Sequence, residues 1–123
     1  MKYFSEIVSW GDDALFFLED DDANFIILFN EDAPPELAEI SVLHTKTQLL
    51  LELEIGDTMI IAEKVFEITA IGDEAASTLK ELGHCTLCFK GGDVPDRPGC
   101  IMLKGDQPLL KQDIQKGQTI EIH

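Results

Sequence analysis

The sequence predicts a mainly β fold: a small closed or nearly closed β-barrel with one or two short helices. Two observations carry that expectation. Short apolar segments, alternating or continuous, recur along the 123 residues between turns rich in Gly, Pro, Asn and Asp. Only residues 33–39 and 73–82 show helical spacing or helix-start chemistry. About eight strands with so little helix to cover them must pair their own edges, and a barrel leaves no long edge open to aggregation.

Residues 2–9 alternate, with Tyr3, Ser5, Ile7 and Ser9 against Phe4, Glu6 and Val8, as a first strand does. Gly11-Asp12-Asp13 turns the chain, residues 14–18 suit a strand or one helical turn, and residues 19–22 make an acidic tip. The run Phe25-Ile26-Ile27-Leu28-Phe29 has the length and continuity of a buried strand. In residues 33–39 the prolines fall in a first helical turn, where the missing N–H is tolerated, with acids near the positive end. Residues 40–43 are a brief strand that delivers His44. Residues 49–55 predict another, with Leu49, Leu51, Leu53 and Ile55 on one face. Gly56-Asp57 leads into a strand at 58–62, and Glu63-Lys64 turns into one at 65–71.

The stretch 70–89 is the most tightly specified. Gly72 breaks the strand period, Asp73 suits the N-cap, and Glu74 sits at the positive end of the helix dipole. Ala75, Ala76, Leu79 and Leu82 share a helix face, and Gly83 is the residue able to close the helix left-handed. Cys85, Leu87 and Phe89 then alternate with Thr86 and Cys88. A Gly- and Pro-rich loop at 90–98, a strand at 100–104, an irregular stretch at 105–112 and a final strand at 119–122 complete the chain. The runs Gly56-Asp57-Thr58-Met59-Ile60-Ile61 and Gly117-Gln118-Thr119-Ile120-Glu121-Ile122 echo each other, as two similar hairpin starts in one barrel would.

Length and composition bound the rest. One domain spanning 1–123 is expected, with 45% hydrophobic and 27% charged residues. No apolar run approaches the ~18–20 residues of a membrane span, so the chain is not expected to be membrane-embedded. Met1-Lys2 is followed by Glu6, Asp12 and Asp13 without an apolar core, unlike a signal peptide. With three cysteines, an odd number, this points to reduced thiols and a cytoplasmic location. The net charge is −15; residues 1–62 hold 14 acids against Lys2 and Lys46, and the remainder 10 acids against 7 cations. Such a surface repels nucleic acid and favours a basic protein partner.

Few residues offer chemistry. His44 closes a short apolar strand before the polar run Thr45-Lys46-Thr47-Gln48, and it is expected to stand exposed at the barrel rim. A neutral imidazole there is able to take a phosphoryl group in line, with Thr45, Lys46 or backbone N–H groups stabilising its charge. His84 follows the helix-closing Gly83; it would support His44, or else satisfy loose helix carbonyls. Cys85-Thr86-Leu87-Cys88 has metal or redox spacing, but residues three apart on a strand face opposite ways, so no metal site is expected. Asp20, Asp22, Asn24 and Glu31 fall at calcium-loop positions, yet Phe25 stands where the sharp turn needs glycine. No cofactor motif appears. Tyr3 and Trp10 suit core or rim positions better than a sugar platform.

One family resemblance emerges from these residues. Thr69-Ala70-Ile71-Gly72, then Leu79-x-Glu81-Leu82-Gly83-His84-x-Thr86-Leu87-x-Phe89, resembles the glucitol/sorbitol-specific IIA component of the bacterial sugar phosphotransferase system. Ala33-Pro34 through His44, Pro98-Gly99 and Gly117 extend the likeness over most of the chain. It implies a β-barrel phosphocarrier with His44 as phosphoryl acceptor, taking the group from the phosphohistidine carrier protein HPr. It implies transfer onward to a cysteine of the IIB part of the membrane permease. At Thr45-Lys46-Thr47-Gln48 the sequence departs from relatives, which commonly show a second histidine or an acid, and a glycine. That departure motivates an alternative: a non-catalytic acidic β-barrel that binds or regulates a partner.

Overall fold

Alternation between core and solvent decides the strands. The computed structural model describes residues 1–123. Its strands are β1 (Tyr3–Trp10), β2 (Phe25–Asn30), β3 (Val42–His44), β4 (Thr58–Ile61), β5 (Lys64–Ile71), β6 (Cys85–Cys88), β7 (Cys100–Lys104) and β8 (Thr119–Ile122). The helices are α1 (Pro35–Ala38) and α2 (Ala75–Leu82), with a 3-10 turn at Lys111–Asp113. The strands close into a barrel in the order β1-β3-β2-β6-β7-β5-β4-β8. Closure leaves every strand paired on both sides, which is how the sheet avoids an exposed edge. Two pairs are parallel, β2 with β3 and β6 with β7; the rest are antiparallel.

Inward positions fill the barrel with one cluster that includes Ile7, Ile26, Leu28, Val42, Ile68 and Leu87. At roughly 1.5–3 kcal/mol per fully buried aliphatic side chain, this cluster is the main source of stability. A smaller cluster on the outer side holds Ala70, Cys88, Cys100 and Met102. Cys85 belongs to the first cluster and Cys88 to the second, so the two thiols do lie on opposite faces of β6. The two glycine turns that echo in sequence feed neighbouring strands, β4 and β8, with Gly56 and Gly117 both in the left-handed region at φ 98° and 92°.

Three expectations are corrected. Residues 49–55 form no strand. The barrel is already closed, so no edge remains for them; Leu50 N–H bonds once, to the Lys2 carbonyl. They run beside α2 with a bend at Leu51 instead, with Leu49 and Leu53 packed on the core and Leu51 and Ile55 exposed. The run at 25–29 is not buried throughout: Ile26 and Leu28 point into the barrel while Phe25 and Ile27 are half-buried outside it. The N-cap of α2 is Glu74 rather than Asp73, and no side chain caps the helix. Glu74 N–H donates instead to the Pro98 carbonyl, where the 90–98 loop crosses Gly72 too closely to admit a side chain.

Candidate functional site

Strand parity determines where His44 goes. Val42 and His44 pair with Leu28 and Asn30 of β2, the inward-facing series, whereas Leu43 pairs with Phe29 on the outside. The imidazole therefore enters the end of the barrel. Its exposure is 0%. This overturns the expectation of a ring standing free at the rim: β3 is flanked on both sides, by β1 and β2, and its last residue falls on the inner face.

Both ring nitrogens face backbone carbonyls. Nδ1 lies 3.0 Å from the Thr45 carbonyl and Nε2 lies 2.8 Å from that of Gly83. The Tyr3 ring meets the imidazole edge-on at 6.2 Å between centroids. Burial pushes the His44 pKa below its ordinary value, against the opposing pull of the two carbonyls and of Glu31. The neutral ring that burial favours has only one N–H, so it satisfies one carbonyl and turns a lone pair on the other. The clamp is thus frustrated in the neutral state.

Gly83 makes this geometry available. It closes α2 at φ 62°, and its N–H returns to the Leu79 carbonyl. A side chain there would collide with the Asn30 amide and come within 2.9 Å of His44 Cε1. Asn30 completes the group, with a buried Oδ1 that has no hydrogen-bond partner. An unpaired buried amide oxygen is rare and costs about 1–3 kcal/mol. Sequence reasoning passed over Asn30; the one signal was a polar residue ending an otherwise apolar strand.

The other candidates lie around this end. His84 is half-buried, stacked at 4.8 Å on Phe29, and its Nδ1 lies 3.1 Å from the Leu28 carbonyl. Its side chain bonds neither the carbonyls of α2 nor the ring of His44; the link between the two histidines is the Gly83 carbonyl. Its Nε2 makes no hydrogen bond within the protein and is not a buried orphan. Thr45 accepts the Glu6 N–H on its hydroxyl at 3.0 Å. Lys46, exposed, is paired with Asp32 at 2.6 Å.

Comparison with known proteins gives first the class. The crystal structure of a phosphotransferase system IIA component from Enterococcus faecalis V583 superimposes with a TM-score of 0.77 at 27% identity, over 97% of this chain and 98% of that one. Residues 2–122 match the family model for the phosphotransferase system glucitol/sorbitol-specific IIA component. The chain belongs to that family, as a phosphocarrier component of a sugar phosphotransferase system that works among the system's other components. It is similar to the glucitol/sorbitol-specific EIIA component of Escherichia coli K12, at 31% identity over 97% of this chain and 92% of that protein. It is also similar to the component of the same name from Shigella flexneri, at 32% over 78% of this chain and 76% of that protein. No helix is long and apolar enough to cross a membrane.

Proposed function

We propose that this chain acts as one domain in the cytoplasm and carries the phosphoryl group on His44, receiving it from phospho-HPr and passing it to a IIB cysteine. The relatives' names point to glucitol as the sugar that the permease takes up. The observation that carries this reading is the frustrated clamp on the imidazole. Thr45 is the next residue in the chain and cannot leave His44. Gly83 sits on a separate turn and can. When that turn swings out, Nδ1–H stays on the Thr45 carbonyl and the Nε2 lone pair is freed as the nucleophile.

Nε2 then attacks phosphorus; the N–P bond of the donor breaks and its electron pair returns to the donor's ring. In the second step a cysteine thiolate attacks phosphorus, and the bond to Nε2 breaks in turn. Phosphoryl transfer asks a protein mainly for positioning and charge stabilisation. The Asn30 amide, the Thr45 hydroxyl and Lys46, once released from Asp32, are the groups able to give it. His84 supports the turn that carries Gly83, through its bond to Leu28.

A second reading rests on one observation: His84 has its Nδ1 held by a carbonyl and its Nε2 unengaged, so it is accessible without any opening. Incubation with phosphoenolpyruvate, enzyme I and HPr, followed by mapping of the acid-labile adduct in the wild-type chain, separates the two. An adduct on His44 that is lost in His44→Gln is the expected result, with Asn30→Ala slowing it at least about tenfold. An adduct on His84 makes that residue the acceptor. No adduct leaves the non-catalytic binding module.

A further inference from the structure

The segment joining β1 to β2 has a feature that the phosphoryl site does not use. Ala14 and Leu18 are buried and anchor it to the barrel, while Phe16 and Phe17 between them turn outward, 69% and 41% exposed. Phe17 stacks on Phe25 at 5.1 Å, and Phe16 meets Phe17 edge-on at 4.9 Å. With Ile27 and Ile40 these rings line a cleft of about 350 Å³ whose single polar wall is Asp13. Trp10, Asp12 and Glu39 line an adjoining hollow. Exposed aromatic clusters of this kind mark interaction surfaces.

Charge identifies the occupant. Between Lys2 and Lys46 the chain has no Lys or Arg and eleven Asp or Glu. Every ionised side chain that this stretch brings to the cleft is therefore negative; Lys90, paired with Asp96 at 2.9 Å, and Arg97 lie in the hollow on the other side of Phe25 and Ile27. A second copy of the chain would bring like charge, and so would nucleic acid or an anionic membrane. We propose that this cleft docks a cationic amphipathic segment of a protein partner: apolar residues seat between Phe16, Phe17 and Ile40, and flanking Lys or Arg face Asp12, Asp13 and Glu39. Aromatic anchors would supply affinity, and the acidic rim would supply association rate and selectivity. The inference does not depend on which histidine carries the phosphoryl group.

The test uses the full chain and a synthetic amphipathic helical peptide of leucine and lysine, with a leucine and glutamate peptide as its counterpart. Trp10 is the one tryptophan of the chain and is 38% exposed beside the cleft, so its fluorescence reports binding. Backbone amide shifts report where binding occurs. The lysine peptide should bind and perturb residues 12–17, 25–27 and 39–40; the glutamate peptide should not bind. Phe16→Ser, and separately the pair Asp12→Asn with Asp13→Asn, should each weaken binding at least about tenfold, and raising salt to about 0.5 M should weaken it further. Val65→Ser, which removes an exposed apolar residue elsewhere, should leave binding unchanged. Equal binding of both peptides, shifts centred elsewhere, or full affinity in the acid-neutralised variant would overturn the proposal. Failure of phosphorylation in the labelling assay would leave these measurements standing.

Discussion

The two sides of the barrel are built to different standards. On the side of β4, β5 and β8 the pairing is antiparallel, and the polar side chains at its margin are matched. Lys64 donates to both Asp113 and the Pro108 carbonyl at 2.7 Å, and Lys2 meets Asp57 at 2.8 Å. On the side of β1, β2 and β3 a parallel pair and a three-residue strand meet. All four buried polar side-chain atoms without partners belong to this side or its connections: Tyr3 Oη, Ser5 Oγ, Asn30 Oδ1 and Ser41 Oγ. Unpaired buried groups are tolerated where another requirement outweighs stability. One side acts as scaffold; the other gives up stability to hold a buried imidazole between two carbonyls.

The largest expected effect tests whether the turn at Gly83 is as tightly shared as its surroundings imply. Gly83→Ala should destabilise the chain by about 2 kcal/mol or more in denaturant melts, from left-handed strain plus the collision with Asn30. Gly91→Ala has a similar positive φ, 69°, but no neighbour closer than 3.6 Å, so it should cost only about 1 kcal/mol. Equal costs at the two glycines would remove the argument for a crowded barrel end.

On the scaffold side, Asp113→Ala removes the partner of Lys64 and the acceptor for the Leu110 N–H, and should cost about 1–2 kcal/mol by the same measurement.

The effect of pH comes next. His44 has a folded pKa below its ordinary 6.5, so the unfolded chain binds a proton that the folded one refuses. Stability should be full above about pH 6.5 and fall as pH drops from there toward the folded pKa. His44→Gln should flatten that part of the profile; an unchanged slope would mean that another group sets it. The smallest effect is at Ser41, whose unpaired hydroxyl has 0% exposure. Ser41→Ala should be neutral or stabilising by up to about 1 kcal/mol in the same melts, whereas a clear loss would reveal a partner for that hydroxyl.

Much of the fold was legible because local chemistry and tertiary fold agree. Apart from its N-cap, the strand–helix–strand order of 70–89 reads correctly from its glycines and apolar spacing: Gly83 closes α2 left-handed, and alternation resumes at Cys85. Leu49, Leu51, Leu53 and Ile55 misled because alternation describes a surface that suits pairing, while pairing also needs a free edge. The closed barrel offers none. The place of His44 at the end of β3 was legible and its exposure was not: a polar run follows it, but the face it takes is fixed by the register of β3 against β2.

The sequence alone determined which segments alternate, where the chain must turn, the acidic surface, and the family signature around Gly83 and His84, because each of these depends on neighbours along the chain. Only the tertiary structure decided that His44 turns inward, that Asn30 and the Gly83 carbonyl close over it, and that Phe16, Phe17 and Ile40 share one acidic cleft. Those are contacts between segments far apart in sequence. Their geometry follows from strand order and register, which no local pattern specifies.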